Sequence, residues 1–271
     1  MKRPAQILII LTFSFMSLTA RENYPAGARA TALSNAIVSV SDVWSTFHNQ
    51  ATLANIENFS AGIFYESRYL VDELSLAAGT ISLPALSGTL GLSFYQFGYG
   101  TYKESKVGFG YSKQLSKRMS AALQLDYFLY RFPENDGAKG FPTFEAGVSY
   151  QATDQLTLAL HIFNPVHNGI KTRYGKQKLP VIFRLGGHYQ FSDRSLIALE
   201  VEKNNDQNAM LKTGIEFYLV DNLALRFGVS GRPVQFSSGL GYSFGRITTD
   251  IAFSYHGNLG LTPSVSVNFK L

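Results

Sequence analysis

Eight titratable residues in the C-terminal half stand where they could do chemistry together: Arg184, His188, Glu200, Glu202, Lys212, Glu216, Arg226 and Asp250. Each falls on the polar side of an alternating apolar/polar run. Residues two apart on an extended chain face the same way, so these groups would share one polar surface across neighbouring strands. Opposite charges on adjacent strands attract. Such a surface is either a selectivity lining or binding patch, or a structural ladder that fills an enclosed space.

Catalysis and metal binding find little support. The five histidines are His48, His161, His167, His188 and His256, and cysteine is absent. No pair has zinc-like spacing, so no metal and no cofactor is expected. No Gly-x-Ser-x-Gly elbow is present and the serines are scattered, so no nucleophile is set beside a base. The chain is expected not to be an enzyme. Gly98–Tyr99–Gly100 and Gly108–Phe109–Gly110 superficially resemble phosphate loops. Neither opens a helix after a strand; their glycines are expected to ease strand curvature or close turns.

The elements that would position the charged face are strands. Alternating segments can be drawn at Phe59–Glu66, Asp72–Leu83, Ala85–Phe97, Ser105–Leu115, Met119–Phe132, Pro142–Gln151, Gln155–Asn164, Pro180–Phe191, Ser195–Glu202, Asn208–Leu219, Leu223–Gly231, Val234–Phe244, Gly245–His256 and Leu261–Leu271, about fourteen in all. Short turns (Leu115–Arg118, Ala152–Asp154, Ser192–Arg194, Val220–Asn222) alternate with long ones (Pro133–Phe141, Pro165–Leu179, Lys203–Gln207). Short periplasmic turns and longer extracellular loops mark an up-and-down outer-membrane barrel. Most segments approach the roughly 9–11 residues that a tilted strand needs to cross the hydrocarbon. An even strand count puts both barrel ends on one side.

The alternation gives each wall two faces. Leu223, Leu225, Phe227 and Val229 oppose Ala224, Arg226, Gly228 and Ser230; Leu211, Ile215 and Phe217 oppose Lys212, Gly214 and Glu216. In a membrane barrel the apolar set meets lipid and the polar set lines the lumen. Tyr65, Tyr69, Tyr95, Tyr99, Tyr102, Tyr111, Tyr127, Tyr130, Tyr150, Tyr189, Tyr218, Tyr242 and Tyr255 fall near strand ends. They are expected to form girdles at the lipid–water interface.

Export fits the N-terminus. Met1–Lys2–Arg3 followed by the apolar run Ile7–Leu18 reads as a signal peptide ending near Ala20. The +5 formal charge falls to +3 without Lys2 and Arg3, since residues 1–20 hold no acids. So mild and dispersed an excess does not argue for nucleic acid, and no nucleic-acid partner is expected. Three parts result: residues 1–20 as signal peptide, 21–58 as a small-residue segment, and 59–271 as the barrel.

The middle part carries a family resemblance. Tyr24-Pro-Ala-Gly-Ala-Arg-Ala-Thr-Ala-Leu-Ser-Asn-Ala-Ile-Val-Ser-Val-Ser-Asp-Val-Trp-Ser-Thr-Phe-His-Asn-Gln-Ala-Thr-Leu-Ala54 resembles the start of the PorV/PorQ family, FadL-like barrels associated with type IX secretion. Arg29, Leu33, Ser39–Val40, Asp42, Asn49, Ala51 and Leu53 fit the family pattern. Ser34–Asn35 stands where a Gly pair is usual, Gln50 replaces a Pro, and Thr52 takes a place often held by Gly. The run from Lys178 to Gly186 is similar to the family's Leu-Pro lead into a late strand. The resemblance implies about fourteen strands in the outer membrane, with the N-terminal segment as a lumen plug. A barrel of this size encloses more space than its own side chains fill, which argues separately for a plug. Arg29 and Asp42 would then meet lumen charges of opposite sign, with Asn49 a third plug candidate.

The implied function divides. The first expectation is a component of protein secretion or surface attachment, partnered by a translocon, by surface-attachment proteins or by cargo C-terminal domains. The runner-up is a FadL-like transporter of a hydrophobic ligand, which would need an apolar path. Phe64, Phe128, Tyr130 and Phe163 lie in the inward register and could form one, or pack on the plug. In both cases outer-membrane lipid is the surrounding partner.

Overall fold

The computed structural model describes residues 23–100, 102–132, 137–172, 175–231 and 233–271. The signal-peptide expectation lies outside the described residues, as does the 133–136 part of the loop expected at Pro133–Phe141.

Fourteen antiparallel strands close a barrel. In chain order the first seven are β1 (Ser60–Ser67), β2 (Ser75–Ala85), β3 (Gly88–Phe97), β4 (Lys103–Ser116), β5 (Met119–Arg131), β6 (Ala138–Gln151) and β7 (Leu156–Phe163). A small hairpin follows, β8 (Gly169–Thr172) and β9 (Gly175–Lys178), outside the barrel sheet. The wall resumes with β10 (Ile182–Ser192), β11 (Ser195–Asn204), β12 (Met210–Val220), β13 (Leu223–Ser230), β14 (Gln235–Phe244), β15 (Ile247–His256) and β16 (Gly260–Lys270). β1 bonds both β2 and β16, which closes the ring. Each expected strand is present, with ends moved by a few residues.

Period-two alternation explains why these segments stand as a membrane wall. Along β5, Leu123, Leu125 and Tyr127 are 63%, 68% and 51% exposed, while Gln124, Asp126 and Phe128 are buried. An apolar outside and polar inside is the reverse of a soluble barrel and fits lipid as the outer solvent. Two-residue connections such as Asp193–Arg194 and Asp221–Asn222 gather at one end with both barrel termini. The longer connections gather at the other.

Three details differ from the sequence expectation. Asp72–Leu74 forms a 3₁₀ turn, and the strand begins only at Ser75. The stretch Pro165–Leu179, expected as a plain loop, folds β8 and β9 on themselves. Tyr95 and Tyr130, expected in the interfacial girdle, face inward and are 0% and 1% exposed. Position near a strand end does not fix which face a residue takes; parity along the strand does.

Residues 23–58 occupy the lumen as a plug. Two short helices, α1 (Ala28–Ala32) and α2 (Ser45–His48), and a 3₁₀ turn (Gln50–Asn55) are joined by tight turns. Helices this short are not stable alone. They hold because the wall surrounds them: Leu33, Phe47, Ala51 and Leu53 are fully buried. Small side chains let the segment lie close to the wall. An added Cβ on Gly228 would stand 2.6 Å from the Leu33 carbonyl carbon and the Ser34 nitrogen. On Gly147 it would stand 1.9 Å from Asn49 Oδ1. Inward glycines are thus seats for the plug. Gly108 and Gly110 likewise leave room for Asp126, Ser93 and Gln124 rather than merely easing curvature, whereas Gly98 (φ 90°) does close a turn.

Candidate functional site

Two groups of side chains face each other across the plug. The first is a ladder of charge on β10 to β16. Arg184 Nε donates to Glu202 Oε2 at 2.8 Å, and Lys212 Nζ reaches Glu202 at 2.8 Å and Glu200 at 3.2 Å. Glu216 accepts from Arg226 at 2.5 Å, and Arg226 also donates to Asp250 at 2.7 Å. Asp250 in turn accepts from Asn268 at 2.9 Å. Seven of the eight sequence candidates join this ladder. His188 stands beside it, with Nδ1 3.0 Å from Ser39 Oγ.

The ladder holds the plug as well as the wall. Arg29 makes a two-pronged bond to Glu216, 2.8 and 2.6 Å long. One Glu200 oxygen accepts the backbone N–H groups of Ile37 and Val38, each at 2.9 Å. Trp44 Nε1 donates to Asn268 at 2.7 Å, and Ala28 N–H to Ser266 at 3.3 Å. Asn49 donates to the Val38 and Val148 carbonyls, at 2.9 and 3.4 Å, and its Oδ1 caps the following 3₁₀ turn. Asp42 departs from expectation. It pairs with Arg29 at 3.4 Å, inside the plug, and accepts the Trp44 N–H at 2.8 Å, with no wall cation as partner. Burial raises the Asp42 carboxyl above its usual range despite Arg29. Burial, helped by the Arg184 guanidinium, pushes the His48 imidazole down to about 3.

The second group is aromatic and lies on β3 to β7, toward the long-loop end. Cross-strand register puts Tyr95, Lys106, Phe128 and Phe141 in one inward row, with Phe97, Glu104 and Tyr130 beyond it. Phe128 stacks on Phe141 at 5.5 Å between centroids and meets Phe163 edge-on at 5.9 Å. Tyr24 of the plug stacks on Phe97 at 4.4 Å. Phe128, Tyr130 and Phe163, singled out by register in the sequence, all belong here. Phe64, on β1, reaches the same buried cluster by way of Trp44, on which it packs at 5.8 Å. Lys106 is wholly buried beneath the rings, bonded to Glu145 at 3.0 Å and Asn23 at 3.1 Å, with Asp126 at 3.8 Å. His161 Nε2 lies 2.9 Å from the other Glu145 oxygen. Sequence reasoning missed Lys106, Asp126 and Glu145. The available signal was their shared parity with Phe128 on three adjacent strands.

The wall beside this aromatic group is incomplete. β7 pairs β6 only from Glu145 to Gln151, so the Ala138–Phe144 part of β6 has no barrel strand on that side. The segment 164–181 covers the opening through side-chain bonds. Asn164 Oδ1 accepts from Thr143 at 2.7 Å, and Asn164 Nδ2 donates to the Leu179 carbonyl at 2.9 Å. Asn168 Nδ2 donates to the Pro142 carbonyl at 2.7 Å. Ile170 and Leu179 of the covering segment are 3% and 1% exposed and join the aromatic cluster.

Two of the cavities that adjoin the plug are mainly polar. One of about 850 Å³ at the short-turn end is lined by Arg29, Arg118, His188, Arg194 and Glu216 among others. The other, about 340 Å³, lies at the long-loop end beside Arg68, Arg184, Glu202 and Lys212. Among the described residues no cluster of His, Cys, Asp and Glu could hold a metal.

No known sequence family and no curated protein matches this chain. Solved structures do. The CymD monoaromatic hydrocarbon channel superposes with a TM-score of 0.65 at 13% identity, covering 91% of this chain and 97% of its own. A Pseudomonas aeruginosa FadL homologue gives 0.66 at 14%, covering 91% and 98%. The Ralstonia pickettii toluene transporter TbuX gives 0.65 at 10%, covering 89% and 98%. At such identities the likeness carries the fold. The chain is an all-β, closed fourteen-stranded barrel with a plug in its lumen, and its fold resembles that of FadL-like outer-membrane barrels.

Proposed function

We propose that this barrel is a non-enzymatic transporter that passes hydrophobic small molecules across the outer membrane. The observation that carries the reading is the buried aromatic cluster beside a gap in the wall. An apolar ligand needs an apolar place to rest, and the longest wall stretch without a neighbouring barrel strand among the described residues, Ala138–Phe144 of β6, borders that place. The polar plug and charge ladder occupy the rest of the lumen, so a straight apolar route along the axis is lacking. A ligand would take the positions of Ile170 and Leu179 as the 164–181 segment moves, then leave sideways through the gap. The ladder residues, with Arg29, Asp42 and Asn49, would act as the seat that keeps the plug in place. The structural neighbours named as a hydrocarbon channel and a toluene transporter support this reading.

The secretion or attachment role expected first is the weaker one. Among the residues on which the PorV/PorQ resemblance was drawn, Arg29, Asp42 and Asn49 are all engaged in bonds that hold the plug together or to the wall. A plugged barrel of either kind would need them.

The test is uptake of labelled toluene into liposomes carrying the full barrel. The chain lacks cysteine, so Pro142→Cys with Asn168→Cys provides a unique pair for a short bismaleimide cross-linker. Uptake is expected with the barrel, and cross-linking should stop it. Uptake no greater than in empty liposomes would refute the reading.

A further inference from the structure

On the ladder side of the lumen the polar cavities of the two ends nearly meet. A third cavity, of about 470 Å³, rises from the short-turn end to Arg226 and Asp250. Along four strands a single inward residue then separates the two ends. It is Gly186 between Arg184 and His188 on β10, and Gly214 between Lys212 and Glu216 on β12. It is Gly228 between Ser230 and Arg226 on β13, and Ala252 between Ser254 and Asp250 on β15. Lys212 and Glu216 are four residues apart, roughly 13 Å along an extended strand. Charged side chains thus stand on both sides of a barrier one small residue deep.

The plug supplies what fills that layer. An added Cβ would stand 2.8 Å from Leu33 Cβ at Gly214, 2.6 Å from the Ser34 nitrogen at Gly228 and 2.9 Å from Val38 Cγ1 at Gly186. Leu33 is fully buried. Ala30, Ala36 and Ile37 extend the apolar layer to Leu196 and Ala198 of the wall. On either side the plug turns polar again. Thr31, Ser34 and Asn35 line the long-loop cavity, and Arg29 lines the short-turn one. An apolar constriction between two wet regions closes a pore by excluding water.

The turn that carries Leu33 is held in place by its surroundings. Ser34 and Asn35 both take left-handed backbone, with φ of 52° and 58°. Residues other than glycine adopt that region at a cost and keep it only where the structure around them imposes it. Here the wall imposes it. Ser34 Oγ donates to Ser237 Oγ at 3.0 Å, and the backbone between Leu33 and Ser34 sits on Gly228. A small shift of this turn would join the cavities past Lys212 and Glu216, with α2 and the 3₁₀ turn still seated.

We propose that the ladder side of the lumen is a second route through the barrel, for water and small inorganic ions, and that the Leu33–Asn35 turn is its gate. The route lies apart from the aromatic cluster on β3 to β7 and does not rest on the transport reading.

The experiment records current through the whole barrel in planar bilayers bathed in potassium chloride. The native chain is expected to show brief openings. Leu33→Ser should raise the mean current by roughly tenfold or more, the shift expected when an equilibrium loses a buried leucine side chain that held one state. Leu53→Ser is the control. Leu53 is equally buried in the plug but sits on Gly91 of β3, away from the ladder, and its variant should match the native current. The heat-dependent gel shift and Trp44 emission report an intact barrel and a seated plug in both variants. A native chain without openings overturns the gate. A Leu33→Ser current no higher than native overturns it too. So does a Leu53→Ser current equal to that of Leu33→Ser, which would make general loosening of the plug the cause.

Discussion

Single residues decide whether the plug stays seated. Arg29 reaches from α1 to a Glu216 that is almost wholly buried. Breaking one partner from a buried pair is strongly destabilising because a charge is left in low dielectric. Arg29→Ala should therefore weaken plug seating by roughly 3 kcal/mol. Glu216 keeps Arg226, which holds the cost near the lower end of that range. Trp44 is the chain's one tryptophan and is buried in the plug, so its emission reports seating directly; a red shift in Arg29→Ala at low denaturant is the expected result. His48 gives a pH dependence of known sign. Seated, its imidazole titrates at about 3; freed, it returns toward 6.5. The freed form binds more protons between those values, so seating weakens as pH falls through that window. Asp42 opposes the trend, since burial raises its carboxyl and acid then favours the seated form. The Trp44 red shift on acidification from pH 7 to 4 should be smaller in His48→Gln than in the native chain; an unchanged profile would assign the acid response elsewhere.

At the scale of elements, the wall is tailored to what lies inside it. β6 carries Gly147 where Asn49 enters from the plug. Gly147→Ala should expel the Asn49 side chain from its bonds to Val38 and Val148, costing about 2 kcal/mol, with protease cutting near residue 49 as the readout. β7 is short, and the wall above it rests on Asn164, whose amide bonds both neighbouring segments. Asn164→Ala should leave the barrel's heat resistance intact and speed hydrogen exchange in 164–181; exchange unchanged there would show that packing of Leu179 alone closes the gap. The fourteen strands were legible because each one repeats a period of two over a wall that meets lipid on one side. The β8–β9 hairpin was not. Its segment carries no alternation long enough to announce a strand, and its shape depends on the gap it covers.

For the molecule as a whole, composition and alternation along the chain set compartment and class. Phe227 beside Arg226, and Ile215 beside Glu216, can be satisfied together only by a wall with lipid outside and polar matter within. That much is local: parity along a strand needs no knowledge of neighbours. The inward parity of Phe128, Tyr130 and Phe163 was visible in the same way. What the sequence could not supply is which inward residues meet. Lys106, Asp126 and Glu145 lie on three strands, and only closure of the barrel and its register bring them together. The partner of Arg29 lies 187 residues away, and Asp42 turned to Arg29 rather than to the wall. Tyr95 left the expected girdle for the lumen because its strand faces that way at that position. Periodicity is a property of the chain and fixes the face of each residue. The pairing of faces across a closed lumen is a property of three dimensions, and the site is made of such pairings.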